Sequence, residues 1–210
     1  RQRQMCIRDR QWPGFVMSGP RLNMGMNDWS NLKRLTPAAT PLLDLDATKA
    51  YVRASDDDDD LIASLIEAAT DFIEGPNGIG SVLISSQWRQ SFDDLNLSIA
   101  LNPIQSVDQI TVLTDTGSVD LDLDLIHVAA DQTPAKIVIL ADKPVAKRVP
   151  GAVSVTFTAG YGDTPAMVPA DLRHAALWLV ASFYENRGDD ASKSVIPPTV
   201  DRVLNKYRSF

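Results

Sequence analysis

The period of the hydrophobic pattern changes twice along this chain, and that double change limits the fold more than any single residue does. Leu61, Leu65, Ala68, Ala69, Phe72 and Ile73 recur at helical spacing and predict one apolar helix face. From Ser81 to Thr158 the period drops to two, and from Pro169 onward it returns to the helical value. A helix buries a stripe, whereas a strand buries alternate residues. The order helix, sheet, helix therefore predicts one α+β unit, a small helical bundle made by the N- and C-terminal helices with an inserted antiparallel β-sheet module. The expected helices cover about 45–75 and 169–208, and the β insertion about 81–158.

Local signals agree with this partition. Asp44 is a good N-cap for a short helix over about 45–54. The acidic run Asp56 to Asp60 sits where a helix start favours negative charge, and Gly75-Pro-Asn-Gly78 stops that helix. Strand candidates are Val82–Ile84, Gln87–Phe92, Leu97–Leu101, Val107–Leu113, Val119–Val128, Lys136–Leu140 and Val153–Thr158. Gly160-Tyr161-Gly162 is a sharp strand-to-helix turn, and Pro169 suits a first helical turn. Residues 26–43 hold two prolines and no clear period, and are expected to form an extended arm. Residues 1–25 are basic and aperiodic and lack the apolar stretch of a signal peptide; they are expected to be a disordered or non-native extension, with a native start at Met24 or Met26.

At 210 residues the chain can bury a real core, and its 44% hydrophobic and 22% charged content is ordinary for a globular protein. No apolar run reaches the roughly 18 residues that span a bilayer, so no membrane helix is expected. The single cysteine, Cys6, leaves the body of the chain without a disulfide or a thiolate metal site. A net charge of −7 argues against a protein that grips nucleic acid by its phosphates. It is compatible with an acidic wall that lets DNA pass without sticking.

Motifs that carry chemistry are missing or fail on context. Asp56, Asp58, Asp60 and Glu67 have calcium-loop spacing, but Leu61 stands where such a loop needs glycine. His127 and His174 have no ligand partners at useful spacing. Gly75, Gly78 and Gly80 follow a helix rather than a strand and are not in the dinucleotide-binding order. No catalytic, cofactor-binding or metal residue is therefore assigned. Asp120, Asp122 and Asp124 alternate with leucines, which in a strand puts three carboxylates on one face. That face is either simply wet, or turned to a channel or a neighbouring subunit. Trp178 lies on a helix flank, where it finishes the core or anchors an interface.

Several segments in order resemble the head–tail connector (adaptor) proteins of tailed bacteriophages and gene transfer agents. These are Leu32-Lys-Arg-Leu-Thr-Pro37, Ala47-Thr-Lys-Ala-Tyr-Val-Arg53, the helix from Asp60 to Asp71, Gln87-Trp-Arg89, Pro103-Ile-Gln-Ser-Val107, Thr156-Phe-Thr-Ala-Gly-Tyr-Gly162 and Tyr184-Glu-Asn-Arg187. The resemblance implies a non-enzymatic ring subunit beneath the portal, commonly dodecameric, joining the DNA-filled head to the next neck or tail protein (a stopper or tail terminator). It implies a place at the head–tail junction of a particle assembled in the bacterial cytoplasm, a channel through which DNA passes without sequence-specific binding, and no cofactor. Candidate interface or channel-facing residues are Asp120, Asp122, Asp124, Trp178, Tyr184, Arg187, Tyr207 and Arg208. The rival readings are a carboxylate-dependent hydrolase, which needs two acids converging in a pocket, and a DNA-binding accessory module.

Overall fold

In the computed structural model, residues 31–74, 78–140, 142–186 and 196–208 are described. The expected extension at 1–25 and the start of the expected arm at 26–30 lie outside them, as do residues 75–77. The described residues form a mixed α+β fold of four helices and two antiparallel sheets.

Helix α1 (Leu45–Val52) starts where Asp44 Oδ1 accepts the Ala47 N–H at 2.8 Å, and ends at Arg53 in the left-handed region. Helix α2 (Asp59–Glu74) carries Asp59 and Asp60 in its first turn, where they favour the positive end of the helix dipole. Its buried stripe is Ile62, Ile66, Ala69 and Ile73. The stripe is thus rotated from the expected one: Leu61, Leu65 and Phe72 flank it half-buried, and Ala68 is exposed. Helix α3 (Ala170–Glu185) follows Pro169 and buries Leu172, Ala175, Ala176, Leu179 and Val180. Helix α4 (Pro198–Tyr207) buries Val200 and Leu204 one turn apart. These three stripes share one core, against which Leu45 and Val52 of α1 pack half-buried, so helices from both ends of the chain pack together.

Strands β1 (Leu32–Arg34), β2 (Ser86–Phe92), β4 (Ile104–Thr114), β5 (Gly117–Asp120) and β8 (Val153–Ala159) form a five-stranded sheet in the order β1-β2-β8-β4-β5. Strands β3 (Leu97–Ile99), β6 (Ile126–Ala129) and β7 (Ala135–Ile139) form a second sheet in the order β3-β7-β6. Every strand pairing is antiparallel. The inner faces of the two sheets meet in a second core around Phe157, Ile110 and Ile99, each fully buried. Burying a side chain of this size contributes roughly 2 kcal/mol.

Three expectations need correction. The expected single strand Val119–Val128 is broken after Asp120, because Asp122 caps a 3-10 turn over Leu123–Leu125, its side chain accepting the Asp124 N–H at 3.0 Å. That turn carries the chain from the first sheet to the second, which a straight strand cannot do. Asp120, Asp122 and Asp124 are consequently not three residues of one strand face, and Leu123 and Leu125 are exposed.

The apolar run Val82–Ile84 is not a strand but a buried connector between the two cores. Val82 joins the sheet core, while Leu83 and Ile84 join the helical one. Its backbone groups find scattered partners, among them Asn102 O for the Val82 N–H and the Tyr161 N–H for Leu83 O. Finally, the described part of the expected arm is built into the protein. Leu32–Arg34 is an edge strand on β2, and Leu42 is buried in the helical core.

Candidate functional site

A buried polar contact links helix α2 to the five-stranded sheet. Glu74, at the end of α2, is almost fully buried. Its Oε1 accepts the backbone N–H of Leu83 at 2.8 Å, and its Oε2 accepts from Arg34 of β1. Arg34 also reaches Asp71 at 3.7 Å and lies over the Trp88 ring, 4.6 Å from its centroid. Burial pushes the Glu74 carboxyl above its ordinary value, opposed by the Leu83 and Arg34 contacts. The sequence held one clue to this junction. An acid in the last turn of a helix opposes the helix dipole, and needs a partner to be favourable there.

A second polar cluster fastens α4 to α3. Asp171 accepts from Tyr207 Oη at 2.5 Å and from Lys206 Nζ at 2.8 Å. Burial raises the Asp171 carboxyl, but the bonds from Lys206 and Tyr207 outweigh it and hold the group below its ordinary value. Arg208 Nε donates to Gly78 O at 2.8 Å, tying the end of α4 to the turn after α2. Tyr184 Oη donates to Asp58 Oδ2 at 2.7 Å, which fixes the far end of α3 to the start of α2.

The candidate residues named from sequence fall into distinct places. Tyr184, Tyr207 and Arg208 direct polar groups into the fold. Trp178 is half-buried against the helical core, its ring 6.2 Å from that of exposed His174. Arg187 lies outside the described residues. Asp120 accepts from Thr111 Oγ1 at 2.6 Å and from Gln109 Nε2 at 3.1 Å, at one end of the large sheet. Asp122 is engaged in its own turn, and Asp124 is exposed beside it.

The outer face of the five-stranded sheet is uncovered and polar. Arg89 stands opposite Thr156, and Ser91 opposite Ser154. Asp108 collects Gln87, Thr158 and Ser106 donors at 2.7–3.0 Å on this face. A groove of 550 Å³ between residues 34–42 and α2 is lined by Arg34, Leu42, Ile66, Glu67 and Asp71 among others, with no histidine or cysteine in its walls. Among the described residues, no three histidine, cysteine or acidic side chains gather as a metal site would require. What the arrangement provides is rigid internal fastening and an open, charged sheet surface.

Comparison with known proteins gives the fold its counterparts. A chain from the neck of an empty gene transfer agent (GTA) particle, computed with C6 symmetry, superposes with a TM-score of 0.71 at 22% identity. The alignment covers 85% of this chain and 95% of that one. A chain from the virion of a native GTA particle gives a TM-score of 0.67, and one from the neck of a native particle computed with C12 symmetry gives 0.63. Both share 22% identity, with the same coverage of 85% and 95%. No family model and no curated protein matches this sequence. The fold of this chain is thus one found in the necks of gene transfer agent particles, as the resemblance to head–tail connector proteins implied.

Proposed function

We propose that this chain is a structural head–tail connector subunit of a phage-like particle, assembling as a ring under the portal and joining the DNA-filled head to the neck and tail. The observation that carries this reading is the superposition on a GTA neck chain over 95% of that chain's length. Near-complete coverage matters because it takes in 85% of this chain rather than one common motif. The neck structures with C6 and C12 symmetry support a ring of copies. In this reading the portal would lie on one side of the ring and a stopper or tail terminator on the other. The internal use of Glu74, Asp171 and Tyr184 supports a structural role without catalysis, since each is engaged in holding elements together. DNA would pass through such a ring without sequence-specific contacts, in keeping with the net charge of −7.

Co-expression of the full chain with the portal protein of the same genome tests this. Co-purification, and a ring stacked on the portal by negative-stain electron microscopy, is the expected result. A well-folded chain that ignores its portal would overturn the reading.

A further inference from the structure

We infer that the two ends of the five-stranded sheet are the surfaces by which successive copies of this chain meet, with Lys33 and Arg89 of one copy facing Asp120 and Asp124 of the next. This rests on the ring reading above and identifies where the ring's contacts lie.

Lys33 and Arg89 are directly opposed across the β1–β2 pairing, both exposed on the outer face. Like charges in that position destabilise a strand pair. Neither makes an ion pair among the described residues. At the other end, Asp120 stands opposite Thr111 on the same outer face, and Asp122 and Asp124 follow it. All four residues of β5 are exposed.

Four strand spacings separate Lys33 from Asp120, and three separate Arg89 from it, or about 19 and about 14 Å at the usual 4.8 Å each. Both exceed the screening length of about 8 Å in physiological salt. The two charged ends of one copy therefore cannot neutralise each other, while the ends of two adjacent copies can. Among the described residues, nothing pairs with the outer edge of either β1 or β5, and open edges of this kind are normally covered or blunted. A contact between two different patches is heterologous, so it repeats in one direction and closes into a ring when the rotation allows. Nucleic acid is the less suitable occupant for the cationic end, because Asp108, bonded to Gln87 on the same strand and face as Arg89, would repel phosphates.

The test uses the full chain on its portal. Lys33→Glu with Arg89→Glu makes both ends negative, and Asp120→Lys with Asp124→Lys makes both positive. Each double variant is expected to keep its circular-dichroism melt and to lose at least tenfold of its ring-bound fraction. Mixed in equal amounts, the two should recover rings by alternating. Rings from either variant alone, or no recovery in the mixture, would overturn the inference while leaving the connector reading intact. Rings that persist in the Glu variant but lose bound DNA would also overturn it, assigning the cations to nucleic acid. If a reversed variant fails to fold, Lys33→Gln with Arg89→Gln should abolish the salt sensitivity of ring formation, and unchanged sensitivity would count against the contact. A wild-type chain that forms no ring on its portal removes the connector reading, and this inference with it.

Discussion

Glu74 and Leu83 are joined where helix α2 meets the connector between the two cores, a buried carboxylate oxygen accepting a buried backbone N–H at 2.8 Å. Burial raises this carboxyl above its ordinary 4.5. A group whose folded value is raised holds its proton more tightly in the folded state. Its contribution is then fully present below 4.5 and lost as pH rises through the folded value. Wild type should therefore gain stability relative to Glu74→Gln as pH falls from neutrality toward 4.5. Urea melts of both proteins across that range check this, and a difference that does not change with pH would contradict it.

Arg34 is the only described cation that bonds Glu74 directly. Truncating one partner of a buried pair leaves the other uncompensated, at a cost of roughly 3 kcal/mol here, the low end of the usual range because Arg34 is partly solvated. Arg34→Met should show that loss by denaturant melting. Adding Glu74→Gln should recover part of it, because a neutral amide still accepts the Leu83 N–H. Strict additivity of the two changes would mean that the pair is not coupled.

Asp171 has the opposite sign. Its carboxyl is held below an ordinary 3.8 through Lys206 and Tyr207, despite partial burial. Its contribution is present above 3.8 and is lost as pH falls through the folded value. Asp171→Asn should accordingly lose its disadvantage against wild type in strong acid. Tyr207→Phe removes one charge-assisted bond and should cost about 1 kcal/mol at neutral pH, read as a lowered melting temperature.

Gly160 has φ +139°, and a Cβ there would lie 2.6 Å from Ser85 N and 2.7 Å from Ser85 Cα. The obstacle is backbone, which cannot swing aside. Gly160→Ala should destabilise the protein by about 3 kcal/mol or more, from strained φ and overpacking together. A near-neutral melt would show that the turn between β8 and α3 is softer than its contacts imply.

Periodicity carried the helices and most strands, because their buried faces follow a regular spacing, as in Leu172, Ala175, Ala176 and Leu179 of α3. It failed where the backbone answers to something other than a repeating face. β4 begins at Ile104 rather than Val107, since two register shifts against β8 interrupt its alternation. The Leu121–Leu125 alternation looked like a strand, yet the short side chain of Asp122 closes a turn there. Val82–Ile84 looked like a strand because it is apolar throughout, but burial on every side belongs equally to a connector. At the site level, Asp120 was visible as a charge. Its relation to Lys33 and Arg89 was not, because that depends on strand order, which no local pattern encodes.

Strand β8 lies at the centre of the large sheet but is the last of its five strands in the chain. Trp88 waits for Phe157, and Ile110 waits for Val155, before either has its neighbour. During synthesis β2 and β4 thus emerge with no direct partnership, and the sheet has no middle until residue 159 has left the ribosome. Closing such long loops is slow compared with forming local turns. A prematurely terminated product would therefore have neither a finished sheet nor the α2–α3 packing. Completion of β8 is thus the step that unites the two halves of the sheet.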